Sequence, residues 1–148
     1  MSLTRRDLPM LLSALAAGAA KAQDKAAHEK PAKEVLPAKV YKYEDLPVKQ
    51  NGPNQSRAVF DGLTHTNYPV EFHMTQLGPG QIPHAPHTHV NEEVIMLRRG
   101  LLDVTFNGET TRMTPGSLVY ISSNILHGSK NPGPEPAEYF VIALGPKT

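Results

Sequence analysis

Apolar and polar positions alternate in short runs along this chain, and Gly, Pro and Asn cut the runs at close intervals. Val70, Phe72 and Met74 alternate with Glu71, His73 and Thr75, a period of two that predicts a strand from Val70 to Leu77, stopped by Gly78-Pro79-Gly80. The pattern gives two faces but does not say which one is lined by protein. Glu93–Arg99 holds a continuous apolar run, Val94 to Leu97, which predicts a strand buried on both faces and ended by Gly100. Leu101–Phe106 and Glu109–Met113 flank Asn107-Gly108, two residues that accept positive φ, so a tight hairpin is expected. Arg57–Phe60, Leu118–Ile121 and Ala137–Leu144 read as further strands, and Val40–Tyr43 as a weak first one. Turns fall at Asn51–Asn54 and Pro115-Gly116, a bend at Asn124–Gly128, and a rigid loop at Asn131–Pro136. Phe72, Met96, Phe106, Met113 and Phe140 are the expected core aromatics and methionines. Beyond the first 22 residues no helix of ten or more residues is predicted. The expected fold class is all-β, a sandwich or barrel.

Composition sharpens this in three places. The 148 residues fit one domain with a real core. The chain has no Cys, which excludes disulfides and thiolate metal sites. Its formal net charge of +1 comes without a basic stripe or a helix-turn-helix pattern, so no nucleic-acid partner is expected.

The N-terminus stands apart. Arg5-Arg6 precede an apolar run from Leu8 to Ala20, and Ala20-Lys21-Ala22 offers small residues for cleavage. Residues 1–22 read as a bacterial export signal, with Thr4-Arg5-Arg6-Asp7-Leu8 resembling the twin-arginine type. Pro9 departs from that type, and a general secretory signal or a plain amphipathic helix are the other readings. The run is shorter than the roughly 20 apolar residues of a spanning helix, so no membrane contact is expected of the mature form. A periplasmic or secreted protein follows, with 12 basic and 13 acidic residues left after cleavage. Gln23–Ala38 is rich in Ala, Lys, Glu and Pro and reads as a disordered linker, leaving 39–148 as the single folded domain.

Chemistry concentrates in His84-Ala-Pro-His87-Thr-His89-Val-Asn-Glu92-Glu93. On a strand, His87 and His89 would point to one face. Imidazole with carboxylate suits a first-row transition metal. The best candidate for a further ligand is His127. His84, between Pro83 and Pro86, reads as a mouth residue, a partner to a ligand, or simply exposed. Glu92 is out of phase with Glu93 and is expected to be solvated, as are Arg98 and Arg99. His28 lies in the linker. Asn131 reads as a residue that fixes its own loop.

Residues 80–131 resemble the two motifs of the cupin superfamily. The first is carried by Gly80, His87-Thr-His89, Glu93 and Gly100, the second by Gly108, Pro115-Gly116, His127 and Asn131. Gly80 stands one residue further from His87 than the common spacing, and Ser117 stands where Asp is frequent. The resemblance implies a double-stranded β-helix, or jelly roll, in a small single-domain cupin. It implies one divalent transition metal ion (Mn, Fe, Ni, Zn or Cu) held by His87, His89, Glu93 and His127. Four protein ligands would leave about two positions of an octahedral ion open, enough for a small-molecule substrate. The expectation is a periplasmic metal-dependent oxidoreductase, dioxygenase-like, acting on a small oxygen-rich molecule. The alternatives are a non-redox isomerase, epimerase or lyase, or a small-molecule or metal-binding protein without turnover. His73 and His84 are the weak catalytic candidates, since Glu93 is committed to the metal. By analogy a homodimer through an N-terminal strand is expected, with Val40–Tyr43 as that strand.

Overall fold

The computed structural model describes residues 33–147. The segment read as an export signal and most of the one read as a linker, including His28, lie outside the described residues. Among the described residues, nine strands form two sheets. They are β1 (Val48–Asn51), β2 (Asn54–Leu63), β3 (Pro69–Leu77), β4 (Glu92–Arg99), β5 (Leu102–Phe106), β6 (Glu109–Met113), β7 (Leu118–Ile121), β8 (His127–Lys130) and β9 (Ala137–Leu144). Six of them make one sheet in the order β1-β2-β3-β9-β4-β7, and β6-β5-β8 make the other. Every pairing between these strands is antiparallel. The fold is an all-β jelly-roll barrel, as expected, and one 3₁₀ turn, Tyr43–Asp45, is the only helical element among the described residues.

The register decides which side chains share a face. Glu71, Ala143, Glu93 and Ile121 stand in one row across the large sheet, and His73, Val141, Ile95 and Val119 in the next. Ile95, Ile121 and Val141 are buried, so this face is the inside of the barrel. The small sheet closes it with Leu102, Val104 and Met113. The polar face of β3 therefore points inward, a choice the alternation alone leaves open. Toward β2 the inner face opens, because Ala58 and Asp61 are exposed.

Four expectations are corrected. Val94–Leu97 is covered on one side only: Ile95 and Leu97 are buried, whereas Met96 is 43% exposed. Phe72 and Phe140 lie with Met96 on the outer face and not in the core, while Met113 is buried and Phe106 packs against the core. Val40–Tyr43 forms no strand: Val40 is 80% exposed, and the carbonyls of Lys42 and Tyr43 are taken by the 3₁₀ turn that follows, accepting from Asp45 and Leu46 N–H. The bend at Asn124–Gly128 runs into a strand, β8, whose sequence His-Gly-Ser-Lys has no apolar period to announce it.

Two devices hold the loops that carry the site. Asn107 and Gly108 take φ of 47° and 92°, the turn the sequence predicts between β5 and β6. Asn131 is fully buried, and its amide donates to Leu77 O, Gly78 O and Glu135 O while its side-chain oxygen accepts from Gly133 N–H. It ties the end of β3 to the proline loop before β9, beyond the local role expected of it. At the other end, Glu34 and Leu36, within the segment read as linker, pair with Leu63.

Candidate metal centre

His87 and His89 lie in the loop between β3 and β4 and not in a strand. His87 is nonetheless fixed by backbone, since it and His127 exchange both N–H···O bonds at 3.0 Å. That bridge joins the loop to β8 and so brings together residues forty apart in sequence. Glu93 enters from β4, one row position from Ile121. The site thus sits where the large sheet, the small sheet and the histidine loop meet.

The three imidazoles pack with centroids 4.8–5.1 Å apart, and one ligand atom from each lies within 4.8 Å of the others. His89 and His127 donate Nδ1–H to the carbonyls of Asn91 and Ile125, at 2.6 and 2.8 Å. In neutral rings this fixes the tautomer and leaves Nε2 as a lone pair. Those lone pairs face the Glu93 carboxylate, at 3.3 Å from His89 and 3.7 Å from His127. Acceptor thus meets acceptor, with no proton donor between them. His87 Nδ1 and His89 Nε2 are buried without hydrogen-bond partners. Buried polar atoms are nearly always paired, so an orphaned set on converging rings fits a cation among them. The His87, His89 and His127 group can hold a metal ion. Metal–nitrogen bonds of about 2.0–2.1 Å reach nitrogens up to about 4.2 Å apart, so the rings stand slightly wider than a filled shell. Burial, and then the neighbouring imidazoles, push the His87 pKa down, which keeps that ring in the neutral, ligating form.

The adjoining cleft is lined by His73, His84, Glu93, His127, Ser129 and Tyr139, with an apolar wall of Ile95, Val104, Ile121 and Val141. Its enclosed volume is about 40 Å³, room for a water molecule or two, and it opens to solvent. His84 is exposed and sets its ring edge-on to His87 at 4.3 Å, so it is a mouth residue. His73 is half-buried on β3, with Nδ1 3.5 Å from Glu71 Oε1. Burial outweighs the nearby Glu71 and Glu93 and lowers its pKa. Glu71 is in turn held by Lys147, which also reaches Asp61 at 3.2 Å. Tyr139, buried beside Ser129 and Thr75, has its hydroxyl pKa pushed up to about 12 by burial.

Of the residues expected here, His87, His89 and His127 come together; Glu93 approaches His89 and His127 but stands outside that group of three, and His73 and His84 lie on the rim of the same cleft. Glu92 lies on the opposite, outer face beside Tyr120, and Arg98 and Arg99 lie at the surface beside Glu138. Sequence reasoning missed Tyr139, Ser129 and the Glu71–His73 pair. Only the last left a signal, both residues being on the polar side of Val70–Leu77.

Comparison with known proteins agrees with this geometry. The cupin domain model matches residues 73–143, which include all four candidate ligands. Among solved structures, an RmlC-like cupin from Shewanella frigidimarina aligns at a TM-score of 0.60 with 15% identity, covering 72% of this chain and 89% of that one. A cupin-superfamily sugar phosphate isomerase from Silicibacter pomeroyi aligns at 0.60 with 15% identity, covering 73% and 76%. Oxalate decarboxylase of B. subtilis aligns at 0.57 with 19% identity, covering 74% of this chain but 31% of that one. No curated protein sequence matches the chain. The domain match and the shared fold support the cupin superfamily; at these identities the structural neighbours speak for the fold alone.

Proposed function

We propose that this chain is an exported, metal-dependent enzyme, an oxidoreductase of the dioxygenase-like kind acting on a small oxygen-rich molecule. The observation that carries the reading is the group of His87, His89 and His127, whose ligand atoms lie within 4.8 Å of one another, with His87 Nδ1 and His89 Nε2 buried without hydrogen-bond partners and the Glu93 carboxylate 3.3 Å from His89 and 3.7 Å from His127. These four residues would hold the ion, which when bound supplies a Lewis acid and, if it is manganese, iron, nickel or copper, a redox centre.

The chain's own residues define what happens around it. Ile95, Val104, Ile121 and Val141 keep water off one side of the cleft. The Tyr139 hydroxyl stays protonated throughout the working pH range and can act as a donor there. His73 Nδ1 stands 3.5 Å from Glu71 Oε1, and a proton held on that nitrogen by the carboxylate would leave Nε2 to take one from a bound molecule. That pair favours a second reading, a non-redox isomerase, epimerase or lyase, because proton transfer needs no electron acceptor. The neighbour named a sugar phosphate isomerase supports it only through the fold.

Metal analysis of protein purified without added metal, followed by oxygen uptake with catechol-like and enol substrates, tests the proposal. About one first-row transition metal per chain, lost on joint His87→Ala and His89→Ala substitution, is expected. Oxygen consumed in step with product supports the oxidoreductase. Turnover by the zinc form without oxygen moves the assignment to the isomerase or lyase class, and binding without product makes the chain a binder. Export is tested by the N-terminus of the cell-fractionated protein, expected at Gln23 in the periplasm.

A further inference from the structure

Gly128, the buried residue after His127 in β8, is where the histidine loop comes down onto the small sheet. A Cβ on it would stand 3.0 Å from Pro86 Cγ, 3.3 Å from Pro86 Cβ and 3.4 Å from Pro86 Cα. The Pro86 ring thus occupies the place of a side chain at position 128. Gly128 does not have a positive φ, so it is space and not backbone conformation that calls for glycine here. Both residues flank the bridge of the candidate centre. Pro86 precedes His87, Gly128 follows His127, and the two histidines exchange N–H···O bonds at 3.0 Å.

We propose that the Pro86–Gly128 contact is the spacer of the centre: it sets how far His87 stands from His127, and through that how tightly the three imidazoles hold an ion. The inference rests on the metal reading above and gives a positioning role to two residues that carry no ligand atom. The anchoring of the surroundings carries it. β8 is held from behind, because Gly128 pairs with Thr105 and His127 with Phe106 in the small sheet. The loop is held further on, where His89 O accepts from Asn124 N–H at 2.8 Å and His89 Nδ1 bonds Asn91 O at 2.6 Å. The segment around Pro86 is what remains to give. Pro86 is open to solvent on its other side, so a methyl at position 128 pushes it outward. Its φ is fixed by the ring, and Ala85 before it is confined to extended backbone, so the segment moves as a piece and carries His87 with it. Small displacements matter at this centre. The ligand nitrogens are spread over up to 4.8 Å, and a filled shell allows about 4.2 Å, so binding has to draw the rings together. A methyl on residue 128 works against that closure while every candidate ligand stays in the chain. Groups that orient ligands without touching the ion change its affinity about 10–100-fold.

Two measurements test the spacer. One is affinity for Co(II), read from its visible absorption in competition with a chelator. The other is hydrogen exchange of the His87 and His127 amides in chelator-treated protein, which reads the same contact without metal. Gly128→Ala should weaken Co(II) binding about 10–100-fold and speed exchange at both amides, with far-UV circular dichroism and the β9 amides unchanged. Pro86→Ala removes Cγ and frees φ. Alone it should cost little; combined with Gly128→Ala it should recover most of the lost affinity and protection, the non-additivity of residues in contact. Parental affinity in Gly128→Ala overturns the proposal and leaves the metal centre standing. So does a loss that Pro86→Ala fails to recover, since the methyl then acts somewhere other than on Pro86. Recovered protection without recovered affinity makes the contact ordinary packing and overturns it as well. If Gly128→Ala does not fold, the double variant decides: it must fold and bind Co(II) within about tenfold of the parent, or the spacer is refuted. A parent that takes up no Co(II) overturns the centre itself and the spacer with it.

Discussion

His89 and Glu93 show what single residues contribute and how far a sequence reveals it. Their spacing, with His87, is local, so the candidate ligands are legible from the chain. His127 could be added only through a motif, because the bond that delivers it is a backbone bridge to His87 across forty residues. His73 is the contrary case. A period of two assigns it to a polar face, and nothing local says that this face lines the barrel, since polar faces usually meet water. Its burial has a consequence for pH. The folded-state pKa lies below the ordinary 6.5, so between the two values the unfolded chain binds more protons. Stability should fall as pH drops through about 6.5 and the loss from this residue should be complete below the depressed folded-state value. Urea unfolding of chelator-treated protein from pH 7.5 to 5 should show a shallower decline in His73→Gln than in the parent. An identical decline would mean that His73 is not held neutral inside the barrel.

At the scale of elements, turn chemistry was the most legible feature. The β5–β6 hairpin and the ends of β7 and β9 stand where Asn-Gly, Pro-Gly and the proline loop put them. β8, polar and glycine-containing, was legible only as a bend, and β4 was legible as a strand but not in its burial, since Met96 on its outer face is exposed. Gly100 and Gly108 separate two meanings of a turn glycine. Both have positive φ, 82° and 92°. A Cβ on Gly108 would meet nothing within 4 Å, but on Gly100 it would lie 2.6 Å from Pro136 O and 2.8 Å from Ala137 Cα. Gly108→Ala should therefore cost only the backbone term, about 1–2 kcal/mol. Gly100→Ala carries the same term plus a clash with backbone at the start of β9, and about 3–5 kcal/mol is expected. Equal costs in denaturant unfolding would show that the β4–β9 junction yields more easily than its packing implies.

At the scale of the whole molecule the candidate centre is a joint between two sheets. Glu93 belongs to the six-stranded sheet, His127 to the three-stranded one, and His87 and His89 to the loop that spans them. An ion held by all four would cross-link the layers, and its binding free energy would count as folding free energy. At a free metal concentration 100 times the dissociation constant the gain is about 2.7 kcal/mol. For a domain of this size that raises Tm by roughly 10 °C. The gain should shrink as pH falls, because protons compete for the same imidazole lone pairs. Calorimetry with and without chelator, at pH 7.5 and 5.5, should give a large difference at the higher pH and a small one at the lower. His127→Ala should abolish the difference, since it removes the small sheet's only ligand in this reading. A chelator effect that persists in His127→Ala, or that grows on acidification, would place the ion elsewhere and remove the centre from the joint between the sheets.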